Sequence, residues 1–385
     1  MQIKNLILTL ILAFFYPFSL LQKVNKNKIV FISLESKTLT RDFKIINDAL
    51  METKQYELAY HLFEYEPGLK SQLSYVIACI KQLFAINASH LVLLDFNNFV
   101  VSKFKRRRGV KALQLWHATG AIKQFGNNVK RDYKIKNYDY TIVNSDFFVE
   151  TFSQAFNIKK ENVKVTGIPE TDQLFNHDHV SHNENYLYQK YPQLECKTIV
   201  TYAPTFRGRF AVGFSEIEID LDLIQKSLGS NYAIIYKPHP LIRHSKYENN
   251  KNIIYMPNES INKVFAITDI LVSDYSAIIY DYMVTEKPMI AYVPDLAEYS
   301  VKPGVLFDYE SEFPGAISKD NQSLIDEIKL LNTDLSKQSK QSKQSKQSRL
   351  YDKIFKYKDG KSTQRVLSLI EAIMSEKVER SESVG

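Results

Sequence analysis

The chain has 385 residues, 44% hydrophobic and 24% charged. That is too long for one ordinary core and too apolar for a disordered chain, so two globular domains are expected. Two cysteines, Cys79 and Cys196, exclude a disulfide framework and a paired-cysteine metal site and fit a reducing compartment. The net charge is +7, and four of the lysines lie in one C-terminal repeat, so the folded body is only mildly basic. Nucleic acid is not an expected partner, because that would need a concentrated basic face.

The first elements follow from apolar patterning. Leu6 to Leu21 is interrupted only by Thr9, Pro17 and Ser19. As a helix it reaches about 24 Å, short of the roughly 30 Å hydrocarbon core of a bilayer. Pro17 would bend or end it, and no small-residue cleavage site follows. Residues 1–27 are therefore expected to lie on a membrane surface, with the lysines after the run at the headgroups. A second basic stretch, Lys103 to Arg108, reads either as a solvated loop or as a site of attraction to lipid headgroups or phosphates.

From residue 28 short apolar runs alternate with amphipathic ones. Ile29–Ser33, His90–Asp95, Ala112–Trp116, Tyr140–Ser145 and Val163–Gly167 read as strands, with a helix over Ser71–Asn87. In the second half Lys197–Ala203, Tyr232–Lys237, Asp269–Ser273 and Pro288–Tyr292 read as strands. This alternation predicts parallel sheets with helices on both faces. The polar stretch Asn176–Gln193 is expected to be the connection, giving domains 28–185 and 186–375. Ser336–Ser348 repeats Ser-Lys-Gln four times and closes on serine. Without an apolar residue it is expected to be a disordered insertion.

Ligands of open α/β sheets bind beyond the carboxyl ends of the strands. The polar clusters of this chain fall there. His117 follows the strand that ends at Trp116, the only tryptophan. Thr166-Gly-Ile-Pro-Glu-Thr-Asp172, Tyr202-Ala-Pro-Thr-Phe-Arg207, Tyr236-Lys-Pro-His-Pro240 and Ser273-Asp-Tyr-Ser-Ala-Ile-Ile-Tyr-Asp281 follow others. Singly, each has an ordinary reading. His117 is a core histidine, Arg207 a surface arginine, Asp274 and Ser276 helix caps, and Asp281 a surface carboxylate. Together they describe a cleft. Arg207 and Lys237 would supply positive charge, Ser276 a hydroxyl, and the helix starting there N–H groups and a positive dipole end. These suit a diphosphate. His117 and His239 would move protons near neutral pH. No Walker A, EF-hand or HExxH pattern occurs, and neither a metal nor a cofactor is expected.

The series Trp-His-Ala-Thr-Gly, Thr-Gly-Ile-Pro-Glu-Thr-Asp, Tyr-Ala-Pro-Thr-Phe-Arg, Tyr-Lys-Pro-His-Pro and Ser-Asp-Tyr-Ser-Ala-Ile-Ile-Tyr-Asp resembles the CDP-glycerol glycerophosphotransferases of wall teichoic acid synthesis. It spans roughly residues 90 to 310. The resemblance implies a GT-B fold, with two Rossmann-like domains facing across a cleft and an N-terminal membrane-associating helix. Domain 28–185 would take the acceptor and 186–375 the CDP-glycerol. Trp116-His-Ala-Thr-Gly120 followed by Lys123-Gln-Phe-Gly126 is more similar to the primase type than to the polymerases. Ala277 stands where the family often has a second serine.

By that resemblance His117 is the catalytic base and His239 assists at the diphosphate. Arg207, Lys237 and Ser276 contact the donor phosphates, and Asp281 is an acid near the donor. The implied reaction moves one glycerol phosphate from CDP-glycerol to N-acetylmannosaminyl-N-acetylglucosaminyl diphosphoundecaprenol, releasing CMP. The implied place is the cytoplasmic face of the cell membrane, bound peripherally, with other teichoic acid enzymes as partners. A glycerol- or ribitol-phosphate chain extender, a nucleotide-sugar glycosyltransferase and a non-catalytic scaffold are the alternatives.

Overall fold

Strands with both faces buried need apolar side chains on both, and the central strands of the first sheet are such segments. The computed structural model describes residues 2–34, 36–64, 68–116, 118–209, 213–239, 242, 250–306, 309–337 and 344–376. Its first six strands are β1 (Asn25–Ser33), β2 (Glu57–Leu62), β3 (Ser89–Leu94), β4 (Lys111–Gln114), β5 (Tyr140–Val143) and β6 (Val163–Val165). They pair in the order β2-β1-β3-β4-β5-β6, all parallel. Ile29, Phe31, Leu91, Leu93 and Leu113 point to one face. There they meet Phe43, Ile46 and Leu50 of the Arg41–Thr53 helix and Val366, Ile370 and Ile373 of the Ser362–Ser375 helix.

The second sheet has its own core. Its strands are β7 (Thr198–Ala203), β10 (Tyr232–Tyr236), β11 (Ile253–Tyr255), β12 (Ile270–Ser273), β13 (Met289–Tyr292) and β14 (Ala316–Ser318). A small antiparallel pair, β8 (Arg207–Arg209) and β9 (Gly213–Ser215), lies outside it. The order is β11-β10-β7-β12-β13-β14, all parallel. That is the doubly wound order of nucleotide-binding sheets, which reverses between β7 and β12. Val200, Tyr202, Ile234, Tyr236, Val272 and Ile290 pack with residues of the Leu221–Leu228 and Asn321–Lys337 helices. On the other face Ile199, Ala233 and Ile235 meet Leu187 of the His177–Lys190 helix.

The chain divides into two compact units, but not where expected. Unit 1 holds residues 1–118, 125–172 and 361–385; unit 2 holds 119–124 and 173–360. The crossing falls at Asp172/Gln173 rather than 185/186. Asn176–Gln193 is no linker: Asn176 caps the His177–Lys190 helix by accepting the His179 N–H at 3.1 Å. The last helix returns to unit 1, and Asp172 holds its start. The Asp172 carboxylate accepts the Ser362 and Thr363 N–H groups at 2.8 and 2.7 Å and the Thr363 hydroxyl at 2.7 Å. Gly167, at φ +80°, lies so close that a β-carbon there would clash with Ser362 Oγ.

Two more expectations need correction. The segment 1–27 is not a separate piece: its helix, Gln2–Ser19, packs in unit 1, and β1 already begins at Asn25. Leu12 is fully buried, and Asn87 Nδ2 donates to Ser19 Oγ at 2.8 Å. No helix among the described residues is long and apolar enough to cross a membrane. The Ser-Lys-Gln repeat is helical at both ends, closing the Asn321–Lys337 helix and opening the Gln344–Ile354 helix. Residues 338–343 lie outside the described residues.

Candidate functional site

β7 ends where Pro204 removes a backbone donor. The next residues are tied across the switch point to the end of β12. Thr205 donates its N–H to Asp274 Oδ1 at 2.8 Å and its hydroxyl to Asp274 Oδ2 at 3.0 Å. Ser273 Oγ donates to the Ala203 carbonyl at 2.7 Å. Asp274 is almost wholly buried, so these donors compensate a carboxylate taken from water.

Arg207 completes that compensation. Its Nη1 reaches Asp274 Oδ2 at 2.9 Å and Thr205 Oγ1 at 2.9 Å. Its Nε and Nη2 fork onto Asp295 at 2.7 and 3.2 Å. The guanidinium lies 5.2 Å from the ring centre of Tyr275 and 4.7 Å from that of Tyr299, and the two rings stack at 3.7 Å. Burial alone would lower its pKa, but Asp295 and Asp274 raise it, so the group stays charged. Burial, reinforced by Asp274, pushes Tyr299 up to about 12. Arg207 thus supplies no uncompensated positive charge. Sequence reasoning missed this because Asp295 carries no local signal of its role.

Lys237 follows β10 and is buried, its Nζ donating to the Pro257 carbonyl at 3.0 Å. Burial lowers its pKa and Glu259 partly opposes that. His239, half-buried, meets Phe206 edge-on with ring centres 4.7 Å apart. The same Phe206 ring carries Lys123 Nζ at 5.0 Å from its centre. Ser276 Oγ is reached by the Ile278 N–H at 3.5 Å, a marginal contact. The helix there, Ile278–Tyr282, has five residues and runs into a 3-10 turn, Met283–Thr285. It is too short for the dipole the sequence suggested.

Asp281 is buried and accepts the Thr119 hydroxyl. Its neighbour Tyr280 donates its hydroxyl to the Ala121 carbonyl at 3.2 Å. Gln124 N–H donates to the Gly304 carbonyl at 3.1 Å and Leu306 N–H to the Ile122 carbonyl at 2.7 Å. Thr119–Gln124 is therefore a strap fixed to unit 2 on both edges. Asp281 is one of its anchors, a role the sequence did not suggest. Arg207 is held on Asp274, and His239 lies against Phe206, the residue before Arg207; Asp281 is engaged by the strap.

His117 lies outside the described residues. Trp116 before it adopts φ +65°, a strained conformation for a bulky residue. Its N–H donates to Gln114 Oε1 at 3.0 Å, and the rings of Phe125 and Phe156 lie 4.9 and 5.2 Å away. Among the described residues no three His, Cys, Asp or Glu side chains are grouped to hold a metal.

A family model described as CDP-Glycerol:Poly(glycerophosphate) glycerophosphotransferase matches residues 14–372. The chain belongs to this family. It is a transferase. Among its relatives is a teichoic acid ribitol-phosphate primase of Bacillus spizizenii, 29% identical over 375 residues, which cover 93% of this chain and 94% of the relative. A teichoic acid glycerol-phosphate primase of Bacillus subtilis is 28% identical over 320 residues, 78% of each chain. The wall teichoic acid polymerase TagF shares the fold, with a TM-score of 0.73 over 98% of this chain and 97% of that one at 22% identity.

Proposed function

We propose that this transferase primes wall teichoic acid. It moves one glycerol phosphate from CDP-glycerol to N-acetylmannosaminyl-N-acetylglucosaminyl diphosphoundecaprenol at the cytoplasmic face of the membrane. The observation that carries this reading is Arg207 held on Asp274 at the β7/β12 switch point, with His239 against the adjoining Phe206, in a chain of this family. His117 takes the proton of the acceptor hydroxyl as its oxygen attacks the β-phosphorus. The bond from that phosphorus to the bridging oxygen breaks, and CMP leaves with the bridging oxygen and the electron pair. His239 and Ser276 meet the donor diphosphate. Arg207 and Lys237, engaged by Asp295 and Asp274 and by the Pro257 carbonyl, shape the loops that present it. Such transfer rests on positioning and charge stabilisation.

The Gln2–Ser19 helix supports the membrane location. It exposes Leu6, Ile7, Leu10, Phe14 and Phe18. A second reading, ribitol-phosphate priming, is favoured by the 29% identity to a ribitol-phosphate primase over nearly the whole of both chains. The test is mass spectrometry of the product from purified protein, synthetic disaccharide lipid and either CDP-glycerol or CDP-ribitol. A single glycerol phosphate supports the first reading, a single ribitol phosphate the second. Long ladders or sugar transfer would overturn both. His117→Ala should abolish turnover while the protein stays folded; full turnover would remove His117 from the mechanism.

A further inference from the structure

We infer that Lys123 is a further ligand of the donor phosphates beside His239 and Ser276, a residue that enters the site from the strap rather than from a strand end. The inference rests on the donor being a CDP-linked polyol, as proposed above. Among the described residues, unit 2 brings the cationic side chains of Arg207, Lys237 and Lys123 to the strand ends around the switch point. Arg207 is taken by two carboxylates and Lys237 by a backbone carbonyl. Lys123 differs: among the described residues its ammonium has no hydrogen bond and no ion pair, and rests on the face of Phe206. The edge of His239 meets that same ring, so ammonium and imidazole are at most about 10 Å apart.

An ammonium moved from water onto an aromatic face keeps only part of what hydration supplied. Burial lowers its pKa, Asp274 opposes this, and Arg207 adds to it. An anion arriving there gains an ion pair in which the desolvation of the ammonium is already met in the fold, leaving only its own to be offset. The backbone is also fixed in advance. Lys123 bridges Val305, and the residues on either side of it bond to Leu306 and Gly304. Little ordering entropy remains to be lost when a ligand binds. A diphosphate reaching the carboxyl ends of β7 and β12 thus finds in Lys123 a preorganised cation that, among the described residues, carries no ion pair.

The test is calorimetric titration of the full-length protein with CDP-glycerol, CDP-ribitol and, as a control, cytidine. Lys123→Met keeps the stem over Phe206 and removes the charge; Lys123→Arg restores it. The expected result is at least a tenfold loss of affinity for the bound CDP-linked donor in Lys123→Met, with recovery to within about threefold in Lys123→Arg. Cytidine affinity should stay within twofold throughout. Equal donor affinity in the wild type and Lys123→Met overturns the assignment of Lys123 alone. So does a loss that extends equally to cytidine, since that is a structural effect. A wild-type protein that binds neither donor overturns the donor reading and this inference with it.

Discussion

Asp281 accepts a hydrogen bond from Thr119, 162 residues earlier in the chain, and both side chains are buried. This bond and the Tyr280 hydroxyl on the Ala121 carbonyl hold the near end of the strap that carries Lys123. A buried carboxylate that loses a donor keeps its desolvation cost, about 1–3 kcal/mol. Thr119→Val should therefore lower unfolding stability by about that amount. In a double-mutant cycle with Asp281→Asn the losses should be less than additive, because one interaction serves both. Urea unfolding of the four proteins checks this; strict additivity would mean that the bond contributes nothing.

Arg207 and Asp295 meet through two parallel contacts, Nε to Oδ2 and Nη2 to Oδ1. Only a planar fork makes that pair while a third nitrogen reaches Asp274. Arg207→Met would leave two carboxylates facing each other with Asp274 cut off from water. Removing one partner of a buried pair typically costs about 3–5 kcal/mol. Arg207→Lys keeps a charge and loses the fork, so its loss should fall between the wild type and Arg207→Met. Denaturant midpoints of the three proteins give the order. A lysine variant as stable as the wild type would show that the fork geometry is immaterial.

Part of this was legible in the sequence. Most of the strands legible in the sequence declared themselves as runs of apolar residues, because a central parallel strand must be apolar on both faces; β6, a short edge strand, showed only as Val163 and Val165. β11 and β14 have three residues each, and β2 lies at a sheet edge with only half-buried side chains. None makes a strong period. The strand-end motifs correctly marked polar clusters, but the partners of those residues were out of reach. Asp295 lies 88 positions from Arg207, and Ser362 lies 190 from Asp172. A motif records which residue stands at a strand end; what its charge faces is decided by tertiary packing. For that reason Asp172, the last residue of a strand-end motif, turns out to hold the start of a helix.

Glu259 offers a pH test. It joins the His177–Lys190 helix to the Ile261–Phe265 helix through Lys190 at 2.6 Å and Lys263 at 3.1 Å. Burial would raise its pKa, but the two lysines outweigh that and lower it. A carboxylate with a depressed folded pKa contributes stability that is complete above its unfolded pKa of about 4.3. That contribution disappears as the pH falls through the lower folded value. Glu259→Gln should thus lose less stability than the wild type between about pH 5 and pH 3. Urea midpoints across that range decide it; parallel curves would mean that the lysines do not act on Glu259.

The membrane reading calls for point substitutions rather than truncation. Removing the first 22 residues would also take away buried Leu8 and Leu12, the Asn87–Ser19 bond, and the Leu20 carbonyl that Arg107 Nη1 reaches at 2.6 Å. A truncated protein would then lose membrane binding for the trivial reason that it unfolds. Leu10 and Phe14 sit one turn apart on the exposed face, 63% and 68% accessible. Burying such side chains fully is worth about 1.5–3 kcal/mol each, and at an interface only part of that is realised. Leu10→Glu/Phe14→Glu should reduce partition into anionic vesicles at least tenfold, since it removes apolar contact and adds repulsion. The melting temperature should hardly change, because neither side chain is in the core. Co-sedimentation with vesicles, beside a thermal melt of the same protein, separates the two effects. Unchanged partition at unchanged stability would mean that this helix face does not meet the membrane.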